Sequence, residues 1–588
     1  MRSKSLIAVI SFCCLAGNSL ASTYYMSPTG KDTNAGTNTS PWASLNKANA
    51  QVTAGDTVWI RDGIYYITDT TYVKNDAITA GILLRASGSS DDNRIHYLAF
   101  PGEHPVFDFS KMPISTAYDK ADGSNTLYSH GLVIQAQYLH LKGLEIRNVP
   151  MVSNSNVGVY ISRSKHIFLE QINSHHNQGA GFFVTERGTG SAGGHIFLNC
   201  DSHDNYDPNG RQGDGENADG FGVHYQQPGV GDTTKFFGCR AWWNSDDGWD
   251  FIGQNYPVVV ENSYAMGNGY ASYGTLHPKN ANGNGFKAGS DATGTAHHVI
   301  SQCVAWNNYT AGFYANHSAA GNKWYNNTSY NNKGSQYNMW ASSFDEKGTI
   351  TANGIVLTGD NAHDMKNNIA YPNKVMYIGS YNGVQYASGS YNTWNLDITP
   401  KETDFVSLDD PSVSTTGKDL SSIPGMLGPR QADGSLPETD FLKLKASSQM
   451  IDKGVVLGLP YDGKAPDLGA YEYGLPFGGI SSSSESLPDL QTSSSAESST
   501  SQEVMTSTSS PEGASSSSQE HTAALHLWQH EKKASLEVFD LQGRYLGQLN
   551  STALSDEMSL AELLYDRFRQ AGIYLIRQGA NWWKVRVR

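Results

Sequence analysis

Between residues 170 and 375 the apolar positions fall in short runs, each closed by an asparagine: Asn177, Asn205, Asn244, Asn268, Asn308, Asn332 and Asn373. Successive asparagines are 28, 39, 24, 40, 24 and 41 residues apart. After several of them a glycine and an aromatic follow four and five residues on, as in Gly181-Phe182, Gly248-Trp249 and Gly312-Phe313. Insertions of about eleven residues before Gly220-Phe221 and about thirteen before Gly285-Phe286 lengthen two intervals; without them 39 becomes 28 and 40 becomes 27. Periods of roughly 24–28 residues holding several short β runs predict a right-handed parallel β-helix, an all-β solenoid whose coils bury their faces against one another. The repeat lies within a region spanning residues 22–480.

Aligning the coils sorts residues into columns. Cys200, Cys239 and Cys303 each precede their asparagine by five residues, so they share a column with Ile172. With strands of adjacent coils roughly 4.8 Å apart, these read as stacked interior side chains. No C-x-x-C spacing occurs, so free structural thiols suit them better than disulfides or metal ligation. The asparagine column reads as a turn ladder whose amides bond coil to coil.

Composition agrees with this architecture. Charged residues are 16% of the 588 and glycines number 60, against roughly 25% charged in an average soluble domain. Polarity therefore comes from Asn, Ser and Thr, which argues against long salt-bridged helices. A net charge of −15 disfavours nucleic acid, which needs a concentrated basic face. Met1 to Ala21 has basic Arg2 and Lys4, an apolar run from Leu6 to Leu15 and a small-residue exit, the pattern of a cleaved secretory signal. No transmembrane segment is expected, and the mature chain should be exported, soluble and monomeric. From Ser481 to Glu520 the chain is mostly Ser and Thr with six acids and no Lys or Arg, a flexible linker. Residues 521–588 read as a small β-rich module. Its segments Val538 to Arg544 and Ala571 to Arg577 resemble C-terminal sorting or surface-retention modules of secreted bacterial enzymes. A plain carbohydrate-binding or anchoring appendage fits them equally.

Chemistry shows where columns break the pattern. Three residues past the asparagine, insertions removed, stand Ala180, Asp219, Asp247, Asn284 and Ala311; six past it stand Phe183, Gly222, Asp250, Lys287 and Tyr314. The preceding aromatic points inward, so strand alternation sends Asp250 and Lys287 outward onto one surface. With Asp246, four carboxylates gather on two consecutive turns with a lysine one coil above. Such a cluster repels itself unless a cation holds it, and Ca²⁺ with its oxygen ligands fits. A solvated acidic edge is the plainer alternative.

E-N-A-D-G-F (Glu216 to Phe221), N-S-D-D-G-W-D (Asn244 to Asp250) and G-N-G-F-K (Gly283 to Lys287) resemble the three active-site motifs of the family 9 polysaccharide lyases, typified by pectate lyases. The resemblance runs from Tyr24 to Asp32 and Gly55 to Tyr65 through to Asp467 to Tyr473, covering nearly all of the catalytic region and none of the linker or tail. It implies Ca²⁺ bound by Asp219, Asp246, Asp247 and Asp250, Lys287 as the catalytic base, and polygalacturonate or a related acidic plant polysaccharide as substrate. Lysine must be neutral to act as a base; a neighbouring cation and partial burial would both disfavour its ammonium form. Activity favouring alkaline pH is the consequence.

Further candidates lie nearby. Asn205 to Glu216 approximates an EF-hand-type loop without its helices, readable as a second Ca²⁺ site or as a turn-rich loop. Arg211 and Lys279, in the two insertions, and His224 are candidate substrate contacts. His195, His203 and His277 show no metal-ligand spacing. Tyr225 and Tyr314 suit sugar stacking or coil packing. A glycoside hydrolase would also use paired carboxylates, but the lysine in register with Asp250 argues against it. A noncatalytic glycan-binding solenoid leaves the motif set unexplained, and a lyase of another acidic glycan is the closest rival.

Overall fold

Each coil consists of three short strands separated by turns that few residue types make easily. One coil runs Phe168–Glu170, Asn173–His175 and Phe182–Thr185. The middle strand is entered and left through single residues in the left-handed region. The entering column includes Gln171, Asn199, Gly238, Asn262, Gln302, Asn326 and Asn367; the leaving column includes His176, Asp204, Trp243, Gly267, Asn307 and Asn331. Asn and Asp tolerate that conformation better than most residues, and glycine adopts it freely at Gly238 and Gly267. The high Asn and Gly content is thus partly a turn requirement.

The computed structural model describes residues 21–115, 127–185, 193–210, 213–225, 233–271, 277–290, 296–345, 349–355, 357–372, 375–376, 380–381, 384–385, 388–410, 425–475 and 477, with four C-terminal strands. Of the segments read from the sequence, residues 1–20 of the expected export signal, the expected linker 481–520, Arg211 and Asn373 lie outside the described residues. The chain divides into two compact units, Met1–Gly478 and Gly479–Arg588. In the first, successive coils stack into sheets of 12, 10 and 11 strands, with parallel register from coil to coil. In the second, Ser535–Asp540, Tyr545–Asn550, Gly572–Gln578 and Asn581–Val587 form a four-stranded antiparallel sheet.

Inside the solenoid like stacks on like. Phe182, Phe221, Trp249, Phe286, Phe313 and Tyr337 form a continuous aromatic stack with centroids 4.6–5.0 Å apart, set by the strand spacing. Burying each phenylalanine contributes about 1.5–3 kcal/mol. The asparagine ladder is present: Asn177, Asn205, Asn244, Asn268 and Asn308 each donate Nδ2–H to Oδ1 of the next member, ending at Asn332. Cys200, Cys239 and Cys303 are free, fully buried thiols. Their column continues through polar residues: Cys239 N–H donates to Ser263 Oγ, Cys303 N–H to Asn327 Oδ1, and Asn327 N–H to Asn368 Oδ1. This second amide ladder begins where the thiols end.

The segment leading to Tyr473 is strapped over the ten-stranded sheet. Phe405, Met426, Leu427 and Phe441 pack on Trp242, Met266 and Trp306. Arg240 and Arg430 clasp the buried Asp201 at 2.7 and 2.6 Å. This leaves the outer face of the eleven-stranded sheet to carry the acid cluster.

Candidate active site

The acid cluster is built by strand register on one side and turn geometry on the other. Strands Phe221–His224, Trp249–Phe251, Phe286–Ala288 and Ala311–Tyr314 pair so that Gly222 faces Asp250, Asp250 faces Lys287, and Lys287 faces Tyr314. Trp249 and Phe286 fill the interior, so alternation turns Asp250 and Lys287 outward. In the turn column, Asp219 Oδ1 accepts Asp247 N–H (3.2 Å), Asp247 Oδ1 accepts Asn284 N–H (2.6 Å) and Nδ2–H (2.8 Å), and Asn284 Oδ1 accepts Ala311 N–H (3.2 Å). Asp246 Oδ1 accepts Asn282 N–H at 2.6 Å. Backbone donors therefore fix one oxygen of each of these three carboxylates. Asn284 stands in the same sequence column as Asp247, yet its positioning role shows only in the structure.

Lys287 Nζ lies 2.9 Å from Asp247 Oδ2 and 3.1 Å from Asp250 Oδ2. His224 Nε2 is 3.8 Å from the same Asp250 oxygen, and its ring meets Phe183 edge-on at 4.6 Å. All four carboxylates and the lysine are buried. Burial, followed by repulsion from Asp250 and Asp247, holds Asp219 well above the ordinary carboxylate range. Burial, then Asp247 and Asp219, does the same to Asp246. Burial alone pulls Lys287 down, but Asp247, Asp250, Asp246 and Asp219 outweigh it and hold its ammonium well above the usual lysine value. Burial thus acts on Lys287 in the expected direction, and the four acids, without a cation among them, oppose it.

Four buried carboxylates against one ammonium leave surplus negative charge where unpaired charge is costly. Asp250 Oδ1 accepts no hydrogen bond, and Asp247 Oδ2 faces Lys287 without hydrogen-bond geometry. Oxygens of Asp219, Asp246 and Asp247 come within 4.8 Å of one another, as do ligand atoms of Asp219, His224 and Asp250. Convergent carboxylate oxygens with unspent lone pairs suit a hard divalent cation such as Ca²⁺.

The other candidates separate. Lys279 is exposed on the second insertion, three residues before Asn282. The insertions meet where Asn280 N–H donates to Asp214 O at 3.1 Å, and His277 stacks on Tyr309 at 3.3 Å. In the EF-hand-like loop, Asp207 Oδ2 accepts Ser155 Oγ–H (2.7 Å) and Asn217 N–H (3.2 Å), so this acid closes the loop. Burial lifts its carboxyl to about 6. His195 is a backbone acceptor inside the solenoid. His203 shows no short-range ligand spacing in the sequence, yet the fold brings it beside His175 and His176. The 28-residue interval between His175 and His203 is itself the coil period, which short-range ligand spacing misses.

A right-handed parallel β-helix with an outward acid cluster and a lysine in register defines a particular class of carbohydrate-active solenoid. The Pel9A-like right-handed β-helix region matches residues 24–382, and the chain belongs to that family; with its relatives named as pectate lyases, it is an enzyme of the lyase class. Pectate lyase L of Dickeya dadantii (strain 3937) is 32% identical over 458 residues, covering 78% of this chain and 92% of its relative. The crystal structure of pectate lyase Pel9A has 29% identity and a TM-score of 0.58, covering 78% of this chain and 97% of that one. A solved rhamnogalacturonan lyase has 27% identity and a TM-score of 0.59, covering 72% and 97%.

Proposed function

We propose that this chain is a secreted, calcium-dependent pectate lyase acting as a monomer on de-esterified polygalacturonate by β-elimination. The observation that carries the reading is Lys287 held between Asp247 and Asp250 at 2.9 and 3.1 Å, in register with an acid cluster too negative to stand alone. Asp219, Asp246, Asp247 and Asp250 would hold Ca²⁺, which when bound offsets their charge and supplies an electrophile for a substrate carboxylate. Lys287, its neighbours' charge offset, takes the C5 proton of a uronate. The electron pair of that C–H bond forms the C4–C5 double bond as the C4–O bond breaks, the departing oxygen takes a proton from water, and the Lys287 ammonium returns its proton to solvent. His224, beside Asp250, and Lys279, on the inserted loop, are the residues we assign to substrate carboxylates.

The relatives named as pectate lyases support this substrate. The likeness to a rhamnogalacturonan lyase favours one second reading, elimination at the uronate of a rhamnogalacturonan. Both polymers, incubated with and without chelator, discriminate the readings through the ultraviolet absorbance of a 4,5-unsaturated uronide. Chelator-sensitive absorbance from polygalacturonate supports the proposal, whereas reducing ends without absorbance would indicate hydrolysis. Export rests on Met1 to Ala21, and N-terminal sequencing of the mature protein tests it.

A further inference from the structure

On the ten-stranded sheet, strands Asn173–His175 and Asp201–His203 pair with His175 opposite His203. Their rings stack with centroids 4.7 Å apart and planes 5° apart. His176, turning out of the strand with φ 55°, brings its Nδ1 to 2.7 Å from His175 Nδ1. One ring nitrogen from each of His175, His176 and His203 lies within 4.8 Å of the others. Asp204, at the same turn position one coil on, sets Oδ2 2.6 Å from His203 Nδ1.

The hydrogen-bond pattern prepares lone pairs here. His175 Nε2 faces Glu145 Oε1 at 3.2 Å, and Arg147 anchors that carboxylate at 2.9 Å. Donation from Nε2 to Glu145 leaves His175 Nδ1 as an acceptor turned toward His176. A carboxylate behind an imidazole is the usual means of orienting a metal-bound histidine. Neutral imidazole is the form that ligates. His203 Nε2 is buried without a hydrogen-bond partner among the described residues, and exposed His176 gives an ion a route from solvent.

We propose that His175, His176 and His203, with Asp204 alongside, form a second metal site for a borderline divalent transition ion of the Zn²⁺ class. Imidazole donors select such ions over Ca²⁺. Ligand atoms around tetrahedral Zn²⁺, each bound at about 2.0–2.1 Å, lie about 3.3 Å apart, so the His203 ring, stacked between His175 and Trp242, must turn out of that stack for the three nitrogens to converge. The ion would tie one coil to the next on the ten-stranded sheet, whereas Asp250 and Lys287 stand on the eleven-stranded one.

The full chain, stripped with chelator and resupplied with excess Ca²⁺ to occupy the acid cluster, is titrated with Zn²⁺, and with Co²⁺ for its visible spectrum. One Zn²⁺ per chain, a raised thermal midpoint and an imidazole-type Co²⁺ spectrum are expected. His176→Ala, at an exposed position, should lose the Co²⁺ spectrum and at least about tenfold in Zn²⁺ affinity, with Ca²⁺-supported lyase turnover unchanged. Glu145→Gln, which keeps all ligands, should weaken Zn²⁺ roughly 10- to 100-fold. Absence of Zn²⁺ binding in the wild type overturns the proposal, as does unchanged affinity and spectrum in both variants.

Discussion

Asp247 Oδ2 lies 2.9 Å from Lys287 Nζ across one coil spacing. The contact orients the amine at the outer face while adding to the charge that keeps it protonated. On the proposed mechanism, a base held this way works only when the acids around it are otherwise engaged, which would link proton affinity and cation occupancy at one residue.

Lys287→Ala should lower kcat about 10²- to 10⁴-fold, the usual contribution of a positioned general base, while polymer binding with Ca²⁺ present is largely kept. Turnover measured by uronide absorbance, beside retention on an immobilised polygalacturonate, checks this. Equal loss of both would move Lys287 from proton transfer to binding.

Asp219→Asn tests the surplus charge. The folded carboxyl titrates above its unfolded value near 4, so its stabilising contribution is complete below about pH 4 and lost as pH rises through the folded value. In chelator, the variant should therefore gain on the wild type as pH rises from 4 toward 7. Saturating Ca²⁺ should stabilise the wild type by about 2.7 kcal/mol at 100 times its Kd and the variant by less. Denaturant midpoints across pH, with and without Ca²⁺, read both effects, and a wild-type advantage that persists in chelator would count against the surplus-charge account.

Much of this was legible because a solenoid converts sequence period into spatial column. The order Gly222, Asp250, Lys287, Tyr314 follows from counting past each asparagine, and the strand register reproduces it. Counting could not supply the backbone donors of Asn282 and Asn284, which depend on how an inserted loop returns to the coil. Nor could it supply the net direction of Lys287, which is a sum over four charges at three-dimensional distances. His175 and His203 are one coil repeat apart in sequence, so their approach follows from the period and not from a short ligand motif.

Asn268→Ala should be among the most damaging polar substitutions in the coils. Asn268 Oδ1 accepts both N–H and Nδ2–H of Asn244, and its Nδ2 donates to Asn308 Oδ1 and Ala241 O. Each buried group left unsatisfied costs about 1–3 kcal/mol, so a loss of several kcal/mol in a urea melt is expected. A loss below about 1 kcal/mol would mean the ladder relaxes around the gap.

Acid should unfold the solenoid through histidines unrelated to catalysis. His195, His298 and His363 are buried, and their Nδ1 atoms accept N–H bonds from Ile167 (3.3 Å), Val258 (3.0 Å) and Asn322 (2.9 Å). Burial depresses them to about 3, about 4 and about 3. A depressed folded value gives stability that is complete above the unfolded value near 6.5 and lost as pH falls toward the folded one. At pH 5 each forfeits about 2 kcal/mol, because the unfolded imidazole binds a proton that the folded one refuses. Asn322 shows the remedy: its Oδ1 accepts His298 N–H at 3.1 Å, doing what histidine does elsewhere without titrating. His195→Asn should therefore carry a fixed cavity cost at neutral pH and recover about 2 kcal/mol relative to the wild type between pH 7 and pH 5. Urea midpoints at the two pH values measure it, and a wild-type-to-variant difference that stays constant with pH would remove His195 from the acid response.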